Sequence, residues 1–353
     1  MKILRKIIIS IITLAIVTSI LACSNEKITV AIFHEYKTAP VRVGVLLNNF
    51  YNPYNLQIKS DLEKIQEENK NQIEFAFFNG EGNIAIESEI INNMIANRYD
   101  LLVLGVVDKS ASELVEEAVY KAKQSNTPLI FFNINTSKLD SIKGYEKALA
   151  INTDSVQAGI LEGKMIVDLW NNDRKSIDKN GDNKLQYVLI EGEKESYSSI
   201  VRSKYSISTI NDAGIETEEL ARVTANWNIE IAESAITPLI FKYGNKIEAI
   251  ISNNDSMAIG AVNALQKYGF NKGSKGKNIS VFGIGGVSEA QELIKNGYMT
   301  GTVVQNTRLL TEAIYKIGMN LVLGENPLKD TNYEFDEMGK VVFIPFEEDV
   351  VKK

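Results

Sequence analysis

From Val41 onward the chain repeats one pattern: a short run nearly continuous in valine, isoleucine, leucine and phenylalanine, then a longer amphipathic stretch. The runs Val41–Leu47, Ile73–Phe78, Asp100–Val107 and Pro128–Asn133 read as strands buried on both faces, since a strand with one wet face alternates apolar with polar residues. Between them Tyr54, Ile58, Leu62 and Ile65 recur at helical spacing, as do Ile86, Ile90 and Met94, and then Leu114, Ala118 and Ala122. Strand, helix and strand in this order pair in parallel and cover both faces of a sheet with helices. The pattern restarts after a crossing at Ile151–Asp154, with runs at Gln186–Glu191, Glu218–Thr224, Ile247–Ser252 and Ile279–Ile284. Gly214, Gly297 and Gly324 follow amphipathic segments where a left-handed helix cap is wanted. A chain of 353 residues exceeds what one core usually organises. The expected fold class is α/β, two doubly wound parallel-sheet lobes.

The segment before Val41 differs in character. Lys2, Arg5 and Lys6 precede an apolar run from Ile7 to Ile20 and then Leu21-Ala22-Cys23, the order of an export signal over residues 1–22. The run falls short of the roughly 18 to 20 residues of a spanning helix, which disfavours a permanent transmembrane anchor. Leu21-Ala22-Cys23-Ser24 resembles the bacterial lipobox, which implies that Cys23 becomes the lipidated first residue of the mature chain. Two acyl chains give stable membrane attachment. Cys23 is the only cysteine, so an intramolecular disulfide and a thiolate metal cluster are excluded. Residues 23–40 read as a lipidated tether that carries the only histidine, His34. The formal net charge is −7, and the signal segment takes three positive charges with it. That acidic balance argues against nucleic acid as a partner, because its phosphates require clustered Lys and Arg.

Open parallel sheets bind ligands beyond the carboxyl ends of their strands, so the residues that follow each run carry the functional reading. The first run ends in Asn48-Asn49-Phe50-Tyr51-Asn52-Pro53-Tyr54, and equivalent places hold Arg202, Asn226-Trp227-Asn228, Asn253-Asn254-Asp255 and Gln305-Asn306. A sugar presents C–H faces that pack on aromatic plates and rim hydroxyls that need donors and acceptors together. Tyr54 and Trp227 supply plates, Asn52, Asn254 and Gln305 paired amide atoms, and Arg202 a planar fork. Each has a structural alternative: asparagine at a helix start serves as a cap, and tryptophan fills core.

These residues carry a resemblance. From Val41 to the C-terminus the chain resembles the periplasmic galactose/glucose-binding and ribose-binding proteins of ABC sugar importers, type I solute-binding proteins. The resemblance implies two lobes joined by a three-strand hinge, the N-terminal lobe taking 41–150 plus 306–340 and the C-terminal lobe 151–305 plus 341–353, with crossings near Ile151, Gln305 and Val341. The strongest run is Ile250–Leu265, joined by Phe131-Phe132-Asn133, Val281-Phe282-Gly283 and Gly301-Thr302-Val303. The resemblance implies that Arg202, Trp227 and Asn254 stand where the family binds sugar, that Tyr54 replaces the stacking phenylalanine of the galactose/glucose branch, and that Asn52-Pro53-Tyr54 and Gln305 lie closer to the ribose branch. Four positions depart from it. Gly285 stands where a second-lobe aspartate is expected, Ser196 and Ser198 where the galactose/glucose branch has a histidine and an aspartate, and Gly105 where it has an asparagine. Charged acceptors make hydrogen bonds roughly twice as strong as neutral ones, so these departures redirect the choice of sugar.

Asp178-Lys179-Asn180-Gly181-Asp182-Asn183-Lys184-Leu185-Gln186 places oxygen-bearing groups at alternate positions, with the Lys184 backbone carbonyl among them, in the order of the first nine residues of an EF-hand loop. The closing glutamate at loop position twelve is absent, since Leu189 stands there, and a solvated acidic turn remains the alternative. The resemblance implies that a distant glutamate, Glu248, closes the site around a structural Ca2+. Asn183 occupies the place where glycine is usual, and asparagine tolerates the left-handed backbone.

The implied activity is capture of a monosaccharide, galactose/glucose-like or a pentose, by an extracytoplasmic, lipid-anchored monomer that hands it to an ABC permease. An enzyme is disfavoured because the chain after the tether has neither histidine nor cysteine for nucleophile and base chemistry. A DNA-binding regulator would begin with a basic helix-turn-helix head, not an export signal. A subunit that senses a polar ligand for a membrane receptor or kinase remains open from sequence.

Overall fold

The computed structural model describes residues 39–106, 111–134, 140–273, 277–346 and 350–352. The signal segment, Cys23 and the tether through residue 38 lie outside the described residues.

In chain order the elements are β1 Val41–Leu47, α1 Pro53–Glu68, β2 Ile73–Asn79, α2 Ile84–Ala96, β3 Leu101–Gly105, α3 Ala111–Ser125, β4 Leu129–Phe132, α4 Asp140–Lys143 and β5 Ala148–Thr153. The second series is α5 Ser155–Asn172, α6 Arg174–Ile177, β6 Lys184–Glu191, α7 Tyr197–Asp212, β7 Glu216–Thr224, α8 Ile229–Tyr243, β8 Ala249–Ser252, α9 Asp255–Lys267, β9 Ser280–Gly285, α10 Ser288–Lys295 and β10 Gly301–Val304. The chain closes with α11 Thr307–Leu323, β11 Val341–Ile344 and β12 Val350–Lys352.

Two six-stranded sheets result, ordered β11-β5-β4-β3-β1-β2 and β12-β10-β9-β8-β6-β7. Every pairing is parallel except the antiparallel one of β10 with β12. Each sheet is covered on both faces, which is why its central strands are apolar throughout. On the first sheet Ile58, Leu62 and Ile65 of α1 pack with Leu310, Ile314 and Ile317 of α11 on one side. On the other side lie Ile91 and Met94 of α2 with Leu114, Ala118 and Ala122 of α3. On the second sheet α8, α9 and α10 cover one face and α5 and α7 the other.

The strands stand where the apolar runs put them, with local corrections. In α2 the buried positions are Glu87, Ile91 and Met94, so the inward face is turned from the expected Ile86 and Ile90. The crossing read at Ile151–Asp154 is a full strand, β5, and the chain leaves the first lobe only at Asp154, whose side chain caps α5 through the amides of Val156 and Gln157. Residues 341–353 do not all join the C-terminal lobe. Val341–Ile344 runs in parallel register with Ala150–Thr153 in the first sheet, and only β12 adds to the second. The third crossing therefore follows Ile344. The left-handed glycines occur as expected, with Gly324 ending α11 at φ 71°.

Candidate ligand-binding cleft

The carboxyl ends of both sheets border one cavity of about 260 Å³, lined by residues of both lobes. All six sequence-predicted ligand residues, Asn52, Tyr54, Arg202, Trp227, Asn254 and Gln305, line it.

On the first lobe, Asn52 caps α1: its Oδ1 accepts from the Tyr54 amide at 2.9 Å, and Pro53 follows at the first helical position, where its fixed φ fits and no N–H is lost. The helix thus starts with Tyr54 at the cavity. The Tyr54 hydroxyl accepts from Asn133 Nδ2 at 3.0 Å and from Gln305 Nε2 at 2.6 Å, and Gln305 Nε2 also donates to Thr153 Oγ1 at 3.0 Å. Gln305 and Thr153 sit at two of the chain crossings, so the tyrosine is tied to the hinge. Burial pushes the Tyr54 hydroxyl up to about 12. It stays protonated and, already accepting twice, has its own hydrogen left to donate.

On the second lobe, Trp227 has a left-handed backbone at φ 61°, next to Asn226 at φ 49°. A bulky side chain seldom adopts that conformation, and where one does the surroundings enforce it. Here the ring lies flat on Gly192: a Cβ there would come within 2.2 Å of Trp227 Cε2 and Cζ2. Asn254 caps α9 by accepting from the Met257 amide at 3.0 Å. For Asn52 and Asn254 the cap and the ligand position coincide. In both, Oδ1 is committed to the helix.

Arg202 is buried below this half of the cleft. Its Nη1 donates to the Asn253 carbonyl at 2.9 Å, and its guanidinium carbon lies 5.8 Å from the centre of the Phe346 ring. Asn253 in turn holds the lobe together by accepting from Ser199 Oγ at 2.8 Å and from the Gly192 amide at 3.2 Å.

The four departures each have a structural counterpart. A Cβ on Gly105 would meet Phe132 Cζ at 2.4 Å, so an aromatic ring occupies the space of the expected amide. Ser198 Oγ accepts from Ser155 Oγ at 3.0 Å, and Ser196 precedes α7 without a side-chain cap. Gly285 has φ 149°, and a Cβ there would stand 2.9 Å from Asp255 Oδ2. The second lobe is therefore not without a carboxylate at this edge: Asp255 fills the space. Its Oδ1 accepts from Thr302 Oγ1 at 2.6 Å and its Oδ2 from the Val287 amide at 2.9 Å, while burial pushes its carboxyl up to about 6.

The region from residue 43 to residue 326 matches the family model described as periplasmic binding protein domain. The chain belongs to the periplasmic binding protein family. This binding protein is 32% identical over 263 residues, 74% of its length and 75% of the other, to the D-galactose/methyl-galactoside binding periplasmic protein of Haemophilus influenzae. It is 24% identical over 270 residues, 76% of this chain and 70% of the other, to the xylitol-binding protein of Mycolicibacterium smegmatis. Its fold matches a solute-binding protein of an ABC transporter from Bacillus halodurans, solved with bound myo-inositol, at a TM-score of 0.69 and 19% identity over 90% of this chain and 96% of that one. Among the described residues no helix is long and apolar enough to cross a membrane.

Sequence reasoning missed Asn133, Thr153, Gly192 and Asp255 as parts of the binding protein's site. Asn133 and Asp255 stood in the quoted runs, and an acid directly after an Asn-Asn cap was a usable signal. The partners that give them meaning, Tyr54 and Thr302, are distant in sequence and left none.

The positions read as a cation loop are linked by hydrogen bonds. Glu248 reaches across from the start of β8: its Oε1 accepts from the Lys179 amide at 2.7 Å and its Oε2 from the Gln186 amide at 3.1 Å. Asn180 Nδ2 donates to Asp182 Oδ2 at 3.0 Å and to Gln186 Oε1 at 3.1 Å, and Gln186 Nε2 donates to Asp182 Oδ2 at 2.7 Å. Asp178 Oδ2 lies 3.3 Å from Arg174 Nε. Asn183 has the left-handed φ of 65° that the sixth loop position demands. Burial, and then the charge of Asp178, raise the Glu248 carboxyl above its ordinary value. Among the described residues no group of three or more His, Cys, Asp or Glu is arranged to hold a metal ion. Asp178, Asp182 and Glu248 thus close no cage of carboxylates, and a hard cation here would need the Asn180 and Gln186 amides and the Lys184 carbonyl as well.

Proposed function

We propose that this protein captures a monosaccharide or closely related polyol between its lobes and delivers it to an ABC importer. The observation that carries the reading is the convergence of Tyr54, Arg202, Trp227, Asn254 and Gln305 on one cavity whose walls come from both lobes. Flat rings, amide donors and a guanidinium match a guest with C–H faces and a rim of hydroxyls. The relatives support it, since a galactoside, xylitol and myo-inositol are all compact polyhydroxy compounds. Gln305 and Thr153, tied to Tyr54 at the crossings, couple the guest to hinge closure. One chain suffices, because it supplies both walls, and the protein acts as a monomeric carrier rather than an enzyme.

Mature protein screened against pentoses, hexoses and inositols should gain about 2.7 kcal/mol at a hundredfold excess over Kd, several degrees of Tm, with one of them. No stabilisation by any member of the set would remove the sugar reading, and a chemically altered sugar after incubation would remove the carrier reading.

The loop of Asp178, Asn180, Asp182, Lys184, Gln186 and Glu248 holds Ca2+ in a structural role, pinning β6 to the start of β8. Chelator should then lower the Tm by several degrees, and Glu248→Gln should abolish that response. An equal melt with and without calcium rules the ion out. Cys23 anchors the protein to the outer side of the cell membrane; labelled fatty acid should enter the wild type and not Cys23→Ala.

A further inference from the structure

Beneath the second-lobe half of the cleft lie three ionisable side chains that holding a neutral sugar does not by itself require. Glu162 on α5 is 0% exposed, Arg202 on α7 6% and Asp255 on α9 1%. The helices α5 and α7 touch backbone to backbone. A Cβ on Gly159 would stand 2.7 Å from the Arg202 carbonyl oxygen, and one on Gly163 would stand 2.6 Å from that of Ser206. This crossing holds Glu162, the residue before Gly163, near enough to Arg202 for each charge to act on the other. Among the described residues neither oxygen of Glu162 has a hydrogen-bond partner, nor does the Ser206 hydroxyl or Arg202 Nε. A carboxyl buried in that way is strongly disfavoured as an anion, and a buried guanidinium is governed by the charges around it. Among the described residues Arg202 is the only lysine or arginine that lines the cavity.

We propose that Glu162 is a positioning residue of the ligand site, whose protonation state sets how the Arg202 guanidinium is turned and how firmly it holds a guest oxygen. The proposal rests on the cleft being the sugar site. With Glu162 neutral, Arg202 and Asp255 balance, and the N–H groups not engaged by the Asn253 carbonyl are open to the guest. With Glu162 ionised, an anion behind the guanidinium competes for those N–H groups, and charged acceptors win such competitions.

The groups that face Glu162 come from α7, from α9 and, through the Ser252 backbone, from β8. Burial is the main influence and pushes its carboxyl up to about 8, against smaller opposing effects of Ser206 and Arg202 on α7, while the charge of Asp255 on α9 adds to the rise. Asp255 is pushed to about 6 by burial, and Tyr54, which faces Arg202 from the first lobe, to about 12. The balanced state of the three buried groups therefore spans about pH 6 to 8. The sign for stability follows. The folded value of Glu162 lies above its ordinary 4.5, so its contribution is lost as pH rises from 4.5 through about 8.

The test follows the Nε–Hε resonance of Arg202 in ligand-free, 15N-labelled mature protein from pH 6 to 9, assigned by its loss in Arg202→Lys. It should titrate with a midpoint near 8 in the wild type and stay fixed in Glu162→Gln. Affinity for D-galactose, the probe, should weaken about tenfold between pH 7 and 9 in the wild type, the factor for one pKa unit of coupling, and hold level in Glu162→Gln. The Tm of Glu162→Gln should gain on the wild type as pH rises over the same range. A static wild-type resonance, or one that titrates equally in Glu162→Gln, overturns the proposal, as does a galactose affinity with the same pH profile in both proteins. A titrating resonance with no binding of galactose at pH 7 sinks galactose as the guest and leaves the link from Glu162 to Arg202 standing.

Discussion

Replacing Trp227 with alanine should weaken sugar binding by about 2 to 3 kcal/mol, roughly 30- to 150-fold in Kd, with the circular dichroism of the protein unchanged. In the proposed complex the ring covers one face of the guest, so truncation removes both buried apolar area and the plate against which C–H bonds pack. It stands at the edge of the second-lobe core and not inside it, which spares the fold. Calorimetric titration with the stabilising sugar checks the loss. Gly192→Ala makes the same point from beneath, since a Cβ within 2.2 Å of the indole must tilt the plate. A Trp227→Ala protein that binds like the wild type would show that the guest does not stack there.

Placing an aspartate at position 285, to restore the acceptor that the galactose/glucose branch leads one to expect, should lower stability by about 2 to 4 kcal/mol and should not tighten binding. The backbone of Gly285 at φ 149° disfavours any side chain, and its Cβ would press to 2.9 Å on Asp255 Oδ2, where a second carboxylate adds like-charge repulsion. Urea unfolding and galactose affinity measured together decide the matter. Tighter binding at undiminished stability would mean that position 285 is an ordinary ligand position that happens to lack its side chain. The departure at Gly285 is instead part of a rearrangement in which Asp255, Thr302 and the Val287 amide share the edge.

The central strands β1, β3, β4, β6, β8 and β9 were legible because burial on two faces leaves an unbroken apolar run, a signal that belongs to the strand alone. β11 carried a weaker one: Phe343 is 42% exposed, and which sheet takes Val341–Ile344 is decided by its pairing with Ala150–Thr153. The face of α2 was misjudged for a similar reason, since isoleucine occupies positions 84, 86, 90 and 91 and only the neighbouring helix selects among them. In the site, Asn52, Tyr54, Arg202, Trp227, Asn254 and Gln305 were readable because a parallel sheet places its functional groups just past its strand ends. What could not be read was compensation across distance, such as Phe132 filling the space above Gly105 or Trp227 lying on Gly192. The ends of the chain's strands announce the cleft, and its shape is set by pairs that no local pattern joins.

The last strands of the chain divide between the sheets, with Val341–Ile344 bordering one and Val350–Lys352 bordering the other. Neither lobe is thus a continuous stretch of polypeptide, and both sheets gain an edge within the twelve residues from Val341 to Lys352. Removing that stretch would strip an edge from each half at once, and neither half can be cut out as a fragment with its sheet whole. A protein wired in this way completes its two halves together, once residues 341–352 are in hand.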